Sequence, residues 1–292
     1  ARYQHFDLVH AVLGVPSGLV AWLLPKPFIV SLRGSDVPFY NSRFRWMDTL
    51  LFRWLSPWLW RNATAVTTNS EGLRELALHS APNQTIAVIP NGVDTERFCP
   101  PNGGQRVART GQEPTIVSAS RLIRRKGLEY LIAGFCRFRL ETGSGECVIA
   151  GDGDDRARLE ATAASQYCRT AVRFLGAVAP ADIPSVYQMG DVFVLPSLNE
   201  GMSNSLLEAM ASGLAIVATD TGGTSELVDS ESGIVVAKHS SDEIAQALLF
   251  LHRNPDVLNS MKQAARARAE RFSWERTAKS YLELYQQVAS GS

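Results

Sequence analysis

The chain has 292 residues, 45% of them hydrophobic and 20% charged, and its 29 Lys and Arg balance 29 Asp and Glu. That length suits two domains of ordinary size, the composition is that of a globular protein, and the charge is only mildly uneven, basic in the first 110 residues and acidic after, with no nucleic acid expected as a partner. No run of 18 apolar residues is present, which excludes a helical membrane span, and Cys99, Cys136, Cys147 and Cys168 form no C-x-x-C pair beside a His cluster, which argues against structural zinc.

Short β-branched runs alternate with helical stretches from end to end, the pattern of an α/β protein with parallel sheets. The first run, Asp7–Ala11, reads as a strand already inside a sheet, so the strands that would precede it are expected to be missing. Further strands are predicted at Phe28–Leu32, Ala65–Thr68 and Thr85–Ile89, with helices around Phe44–Trp60, broken at Pro57, and Glu71–His79. The Pro- and Gly-rich stretch from Phe98 to Pro114 reads as an interdomain linker. The alternation then restarts with strands at Thr115–Ala119, Glu146–Ala150, Val172–Leu175, Val192–Leu195, Ala215–Ala218 and Gly233–Val236. Helical sequence runs from about Ser241 to Ala289. Two Rossmann-like domains are therefore expected, over 1–105 and 106–272, with a C-terminal helix over 273–292 packing back on the first. The four scattered cysteines are expected to be reduced, buried thiols of a cytosolic protein.

In open α/β sheets ligands bind at the carboxyl ends of the strands, so the loops after them are where chemistry is expected. After Val192–Leu195 comes Glu200-Gly201-Met202-Ser203-Asn204-Ser205-Leu206-Leu207-Glu208. Ser203 and Asn204 are good N-cap residues, and the backbone N–H groups of a helix starting there make an anion site. Gly201 lets a ligand approach the backbone. Glu208, one turn in, suits a pair of ribose hydroxyls, each carboxylate oxygen accepting one hydrogen bond. The plain alternative is two solvated glutamates beside a helix N-terminus. After Thr115–Ala119 the loop Ser120–Gly127 carries four cations. Arg121 and Lys126 are the candidate contacts for a diphosphate leaving group, and Arg124 and Arg125 are expected to be solvated. Gly151 and the pair Gly222 and Gly223 are post-strand glycines that shape the same crevice. In the first half, Asn91 closes a strand at a crevice edge and Arg33 follows another.

Together these residues resemble glycosyltransferase family 4, retaining enzymes of the GT-B fold, over nearly the whole chain. The motifs that carry the resemblance are Asn91-Gly92-Val93-Asp94, the Arg121…Lys126-Gly127 loop, Ala150-Gly151-Asp152-Gly153, Glu200…Glu208, and Gly222-Gly223 with Glu226. The resemblance implies that Arg121 and Lys126 hold the donor diphosphate, Glu208 the ribose, and the Gly201–Ser203 backbone the sugar and phosphate, with Glu200 near the transferred sugar. It implies no divalent metal and no cofactor, the nucleotide-diphosphate sugar being a co-substrate and Asp152-Gly153-Asp154 a coincidental D-x-D. It implies a glycan or lipid-linked acceptor in polysaccharide biosynthesis, and UDP or GDP as the nucleotide. Many members carry His where this chain has Arg33, which then contacts sugar or phosphate instead. Because the usual first strands and glycine-rich loop are absent, the chain is expected to bind nucleotide with little turnover.

Residues 43–61 hold four of the six tryptophans and four arginines, a pattern that suits a helix lying on a membrane, here the inner face from the cytoplasmic side. A core helix with snorkelling arginines, or a helix left exposed by the missing segment, is the equal alternative. Two other function classes fit the motifs less well: another GT-B enzyme, such as a sugar-nucleotide epimerase or a phosphorylase, and a nucleotide-sugar-binding fragment without activity.

Overall fold

The computed structural model describes residues 6–40, 45–101 and 113–290. Its strands are all parallel and form two separate sheets, in two compact units.

The N-terminal unit comprises Ala1–Asn91 together with Trp274–Ser292. Its sheet holds β1 (Val9–Val12), β2 (Phe28–Leu32), β3 (Ala65–Thr68) and β4 (Ala87–Val88), in that order. Every residue of β2 is buried, as expected of a parallel strand covered on both faces. Val30, Leu32, Leu59 and Trp60 centre the core. Helix Glu71–Ser80 starts where the Ser70 hydroxyl accepts from the Leu73 N–H at 3.2 Å, an N-cap that satisfies an otherwise orphan donor. Helix Trp274–Ser290 belongs to this unit and sets Tyr281 and Tyr285 against the strands. Two expectations fail locally. The strand expected over Thr85–Ile89 is shorter, Ala87–Val88, with the Ile89 N–H adding one bond to the Thr68 carbonyl at 2.8 Å before Pro90, which brings no N–H, ends the pairing. The break expected at Pro57 does not occur: helix Arg53–Asn62 runs through it, with the ring buried and one backbone donor forgone.

The C-terminal unit, Gly92–Ser273, holds β5 (Thr115–Ala119), β6 (Glu146–Ala150), β7 (Val172–Gly176), β8 (Val192–Leu195), β9 (Ala215–Thr219) and β10 (Gly233–Val236). Their order across the sheet is β10-β9-β8-β5-β6-β7. From β5 the chain winds outward through β6 and β7, then returns to the other side of β5 for β8, β9 and β10. The winding direction therefore reverses between β5 and β8. A crevice opens at such a point because consecutive connections leave on opposite faces of the sheet. One apolar layer lies on each face, the first with Phe135, Phe138 and Ile244, the second with Tyr187, Phe193 and Leu206. Phe98, at the start of the expected linker, is buried against Tyr187 in this unit, while residues 102–112 of that linker lie outside the described residues.

The C-terminal helical sequence divides into Ser241–Arg253, Pro255–Ala269 and Trp274–Ser290, split at Pro255 and again before Trp274. From the middle helix, Arg266 Nη1 donates to the carbonyls of Thr95 (3.1 Å), Phe98 (2.8 Å) and Ala211 (2.6 Å). Val93 N–H donates to the Phe272 carbonyl at 2.7 Å, so the chain entering this unit lies beside the chain leaving it. The cysteines are not all reduced: Cys136 and Cys168 share one buried layer and form a disulfide, with Cα atoms 5.2 Å apart, and Cys99 and Cys147 are free.

Candidate active site

The loops after β5 and β8 leave the two strands that flank the reversal, and they are tied directly together. Lys126 ends a short 3-10 turn, Arg124–Lys126, and its ammonium pairs with the Glu200 carboxylate. The two side chains keep only 11% and 12% of their exposure, so each charge relies on the other. The Ser197 hydroxyl donates to the same Glu200 oxygen at 3.1 Å, and the Leu198 N–H to the Arg125 carbonyl at 2.8 Å. Gly127 has φ of +61°, and a Cβ there would run into the Pro196 carbonyl oxygen. Only glycine lets these loops meet so closely.

Arg121, in the same loop, is exposed, and its guanidinium has no partner among the described residues. Arg124 is also exposed. Arg125, expected to be solvated, is half-buried and partnered. An open cation and a paired cation thus stand in one loop at the switch point.

Helix Asn204–Ala211 begins after Ser203, as the sequence predicts. The Ser203 hydroxyl does not cap it and instead shares a hydrogen bond with Ser205 at 3.1 Å. The carboxylate expected to take two ribose hydroxyls already has one partner. The phenol of Tyr187, buried under Phe98 and Phe193, donates to Glu208 Oε2 at 2.9 Å. Burial raises the Glu208 pKa, while the Tyr187 hydrogen bond and the charge of Arg97 pull it back. Burial and the adjacent Glu208 likewise push the Tyr187 phenol up. Oε1 is the oxygen that Tyr187 leaves open.

A third loop, after β9, closes on the second. Gly222 bridges Glu200 through the backbone, and a Cβ at Gly223 would collide with the Gly201 carbonyl oxygen. The Thr219 hydroxyl donates to the Ser197 carbonyl. Gly151, with φ of +131°, lies against the Ser120 carbonyl and ties the β6 loop to the β5 loop. Asp152 accepts from Gly153 N–H at 2.8 Å and from Arg156 at 3.0 Å. Glu200, Gly201, Met202, Ser203, Asn204, Glu208, Arg121, Lys126, Gly151, Gly222 and Gly223 therefore all lie in the C-terminal unit, on loops or the helix start at the carboxyl ends of β5, β6, β8 and β9.

Arg33 and Asn91 lie in the N-terminal unit and bond to each other, Arg33 Nη1 to Asn91 Oδ1, at 2.8 Å. Behind them runs a chain of polar groups that no local sequence pattern marks. His10 Nε2 meets the Ser31 hydroxyl at 2.7 Å and its Nδ1 the Tyr285 hydroxyl at 2.7 Å, while Ser31 meets Thr67 at 2.7 Å and Tyr281 at 3.1 Å. Burial, then the charge of Arg33, lowers the His10 pKa.

Residues 105–268 match the model for glycosyl transferases group 1, and residues 1–97 that for glycosyltransferase family 4. The chain belongs to the glycosyl transferases group 1 family. Among its relatives, the alpha-maltose-1-phosphate synthase of Mycolicibacterium smegmatis is 31% identical over 260 residues, 81% of this chain and 67% of that protein. A GDP-mannose-dependent alpha-(1-6)-phosphatidylinositol monomannoside mannosyltransferase of Mycobacterium tuberculosis is 32% identical over 197 residues, 63% of this chain and 51% of its own length. The match thus spans about half to two thirds of these curated relatives. Sucrose-phosphate synthase from Thermosynechococcus elongatus superposes with a TM-score of 0.86 at 22% identity, over 98% of this chain and 75% of that one. HepE of Anabaena, solved with UDP, does so with a TM-score of 0.80 at 20% identity, over 97% and 79%. The fold is that of the GT-B glycosyltransferases, with two Rossmann-like units.

Proposed function

We propose that this protein moves a sugar from a nucleotide-diphosphate sugar to a glycan or lipid-linked acceptor with retention of configuration, using the C-terminal unit to hold the donor. The observation that carries the reading is the Lys126–Glu200 pair where the sheet reverses, with the open Arg121 beside it. Breaking the bond from the anomeric carbon to the phosphate oxygen sends the electron pair to a diphosphate. Arg121, Lys126 and the N–H groups that open helix Asn204–Ala211 are fixed positive charge for that leaving group. Fixed dipoles and cations need little reorganisation as charge develops, which is where catalysis gains most. The acceptor hydroxyl attacks on the face the leaving group departs, and its proton passes to the departing phosphate oxygen. Glu208 Oε1 takes the ribose, Glu200 lies at the transferred sugar, and the backbone of Gly201, Met202, Ser203 and Asn204 with the Gly222-Gly223 turn surrounds sugar and phosphate. No metal enters this scheme, because these cations meet the diphosphate charge.

UDP and GDP are both candidates: one relative is named for GDP-mannose, and one similar structure was solved with UDP. Calorimetric titration with UDP- and GDP-sugars tests the site. One nucleotide is expected to bind, and binding is expected to be lost in Glu208→Ala and Arg121→Ala. Binding that survives both changes would place the donor elsewhere.

The acceptor side includes membrane contact through residues 46–61 of the stretch 43–61, residues 43 and 44 lying outside the described residues. Trp46, Leu50 and Trp54 recur one turn apart and are 66%, 73% and 68% exposed. Asp48, the acid of that segment, is buried, its carboxylate accepting the Phe39 N–H at 3.0 Å. An exposed aromatic stripe flanked by arginines suits an anionic interface. No helix among the described residues is long and apolar enough to cross a membrane. Placement in the cytoplasm rests on the nucleotide-sugar donor alone, since the disulfide removes the support the cysteines offered. Co-sedimentation with anionic vesicles is expected, and its absence would end the membrane reading.

A further inference from the structure

The N-terminal unit contains a cation held without a counter-charge. Arg33 is half-buried just beyond β2. Its Nη1 donates to Asn91 Oδ1 at 2.8 Å and its Nη2 to the Tyr281 hydroxyl at 3.4 Å, both neutral acceptors. No described carboxylate pairs with the guanidinium, and the residues outside the description contain no Asp or Glu. The acid next in sequence, Asp36, is committed to backbone: Oδ1 accepts from Arg33 N–H (2.9 Å) and Gly34 N–H (3.0 Å), and Oδ2 from Gly14 N–H (2.7 Å). Behind the guanidinium, His10, Ser31, Thr67, Tyr281 and Tyr285 bond to one another, and the group contains no anion.

Taking a guanidinium partly out of water is costly and is normally offset by a carboxylate. Here that compensation is missing, while two neutral anchors fix the plane of the fork and leave further N–H groups open. A rigid planar fork of this kind matches an oxyanion bidentately. The donor diphosphate has its own cations in the C-terminal unit, Arg121 and Lys126, so a separately built cation calls for a second anion.

We infer that Arg33, oriented by Asn91 and Tyr281, is the receptor for a phosphate group carried by the acceptor. Arg33 is then a specificity residue of the N-terminal unit, Tyr281 is a positioning residue, and the acceptor class narrows to phosphorylated or phosphate-linked compounds. This rests on the donor assignment proposed above, since the alternative source of the phosphate is the donor itself.

Titrations with the full chain separate the two sources. Inorganic phosphate is followed calorimetrically into free protein and into protein already saturated with UDP or GDP, and the nucleotide is titrated alone, for the wild type and for Arg33→Gln, Arg33→Lys and Tyr281→Phe. The expected result is phosphate binding that survives nucleotide saturation, falls at least tenfold in Arg33→Gln, weakens severalfold in Tyr281→Phe and is only partly restored by lysine, with nucleotide affinity unchanged within twofold. A tenfold loss of nucleotide affinity in Arg33→Gln, with no separate phosphate site, would assign the phosphate to the donor and overturn the inference. Phosphate binding equal in wild type and Arg33→Gln, or absent in both, would also overturn it. Nucleotide binding independent of Glu208 would instead overturn the donor assignment, and the phosphate titration without nucleotide would still decide for or against Arg33.

Discussion

Replacing Lys126 with methionine removes the counter-charge of Glu200 without leaving a large void. With about a tenth of each side chain exposed, the remaining carboxylate is almost as costly as a buried one, for which loss of a partner costs about 3–5 kcal/mol. A domain of 150–250 residues loses about 2–4 °C in Tm per kcal/mol, so a loss of about 3 kcal/mol is expected to lower its Tm by about 6–12 °C. Glu200→Gln keeps the acceptor for Ser197 and should cost less. The double variant removes both charges and is expected to be more stable than Lys126→Met alone, with a coupling above about 1 kcal/mol. Scanning calorimetry measures this for the C-terminal unit. Tryptophan fluorescence is a built-in control, because all six tryptophans, at positions 22, 46, 54, 58, 60 and 274, lie in the N-terminal unit. Additive effects in the double variant would refute the pairing as an energetic link between the β5 and β8 loops. The same variants bear on ligand binding. Losing Lys126 should weaken UDP or GDP at least tenfold, whereas Glu200→Gln frees the ammonium and should leave nucleoside diphosphate affinity equal or higher.

Glu208 titrates above its ordinary value, so the stability linked to its protonated form is present at low pH and is lost as pH rises through the folded-state pKa. Glu208→Gln should therefore match or exceed the wild-type Tm at pH 7, lose that advantage near pH 4, and bind nucleotide about tenfold or more weakly at both; a lower Tm at pH 7 would contradict this. Tyr187→Phe frees Glu208 Oε2 to accept a second ribose hydroxyl and should widen the preference for UDP over 2′-deoxy-UDP in paired titrations. Gly223→Ala drives a Cβ into the Gly201 carbonyl and should cost about 1–3 kcal/mol while displacing the Gly201–Ser203 backbone, read as lower Tm and weaker donor binding together. His10 titrates below its ordinary value. Stability should fall as pH drops below about 6.5, where the unfolded chain binds the proton first, and should level off below the folded-state value. His10→Gln should flatten that part of the fluorescence-monitored profile.

The C-terminal sheet was largely legible because most of its strands are short β-branched runs, with Gly151, Pro196 and Asp220 closing three of them, and because the site loops follow strands directly. Thr115–Ala119, Glu146–Ala150, Val192–Leu195 and Gly233–Val236 form with the expected bounds. Contacts between distant residues were not legible. Nothing local tells that Lys126 pairs with Glu200, 74 residues on, or that Tyr187 turns its phenol to Glu208. His10 lies in an apolar strand, and its partner Tyr285 is 275 residues away. Cys136 and Cys168 likewise gave no signal of pairing, because 32 residues and a change of element separate them. At Pro57 the lost N–H alone points to a break, whereas the packing around its buried ring lets the helix continue.

Helix Trp274–Ser290 completes the N-terminal unit, although the whole C-terminal unit lies between them in the chain. A ribosome therefore releases β1 to β4 before the C-terminal unit and supplies Tyr281 and Tyr285 only after it. The unit translated second is contiguous and can finish first, so the usual N-to-C order of folding is inverted. Until the last helix emerges, His10, Ser31 and Thr67 have no tyrosine hydroxyls to meet, and the nascent N-terminal half is the part a chaperone would hold longest.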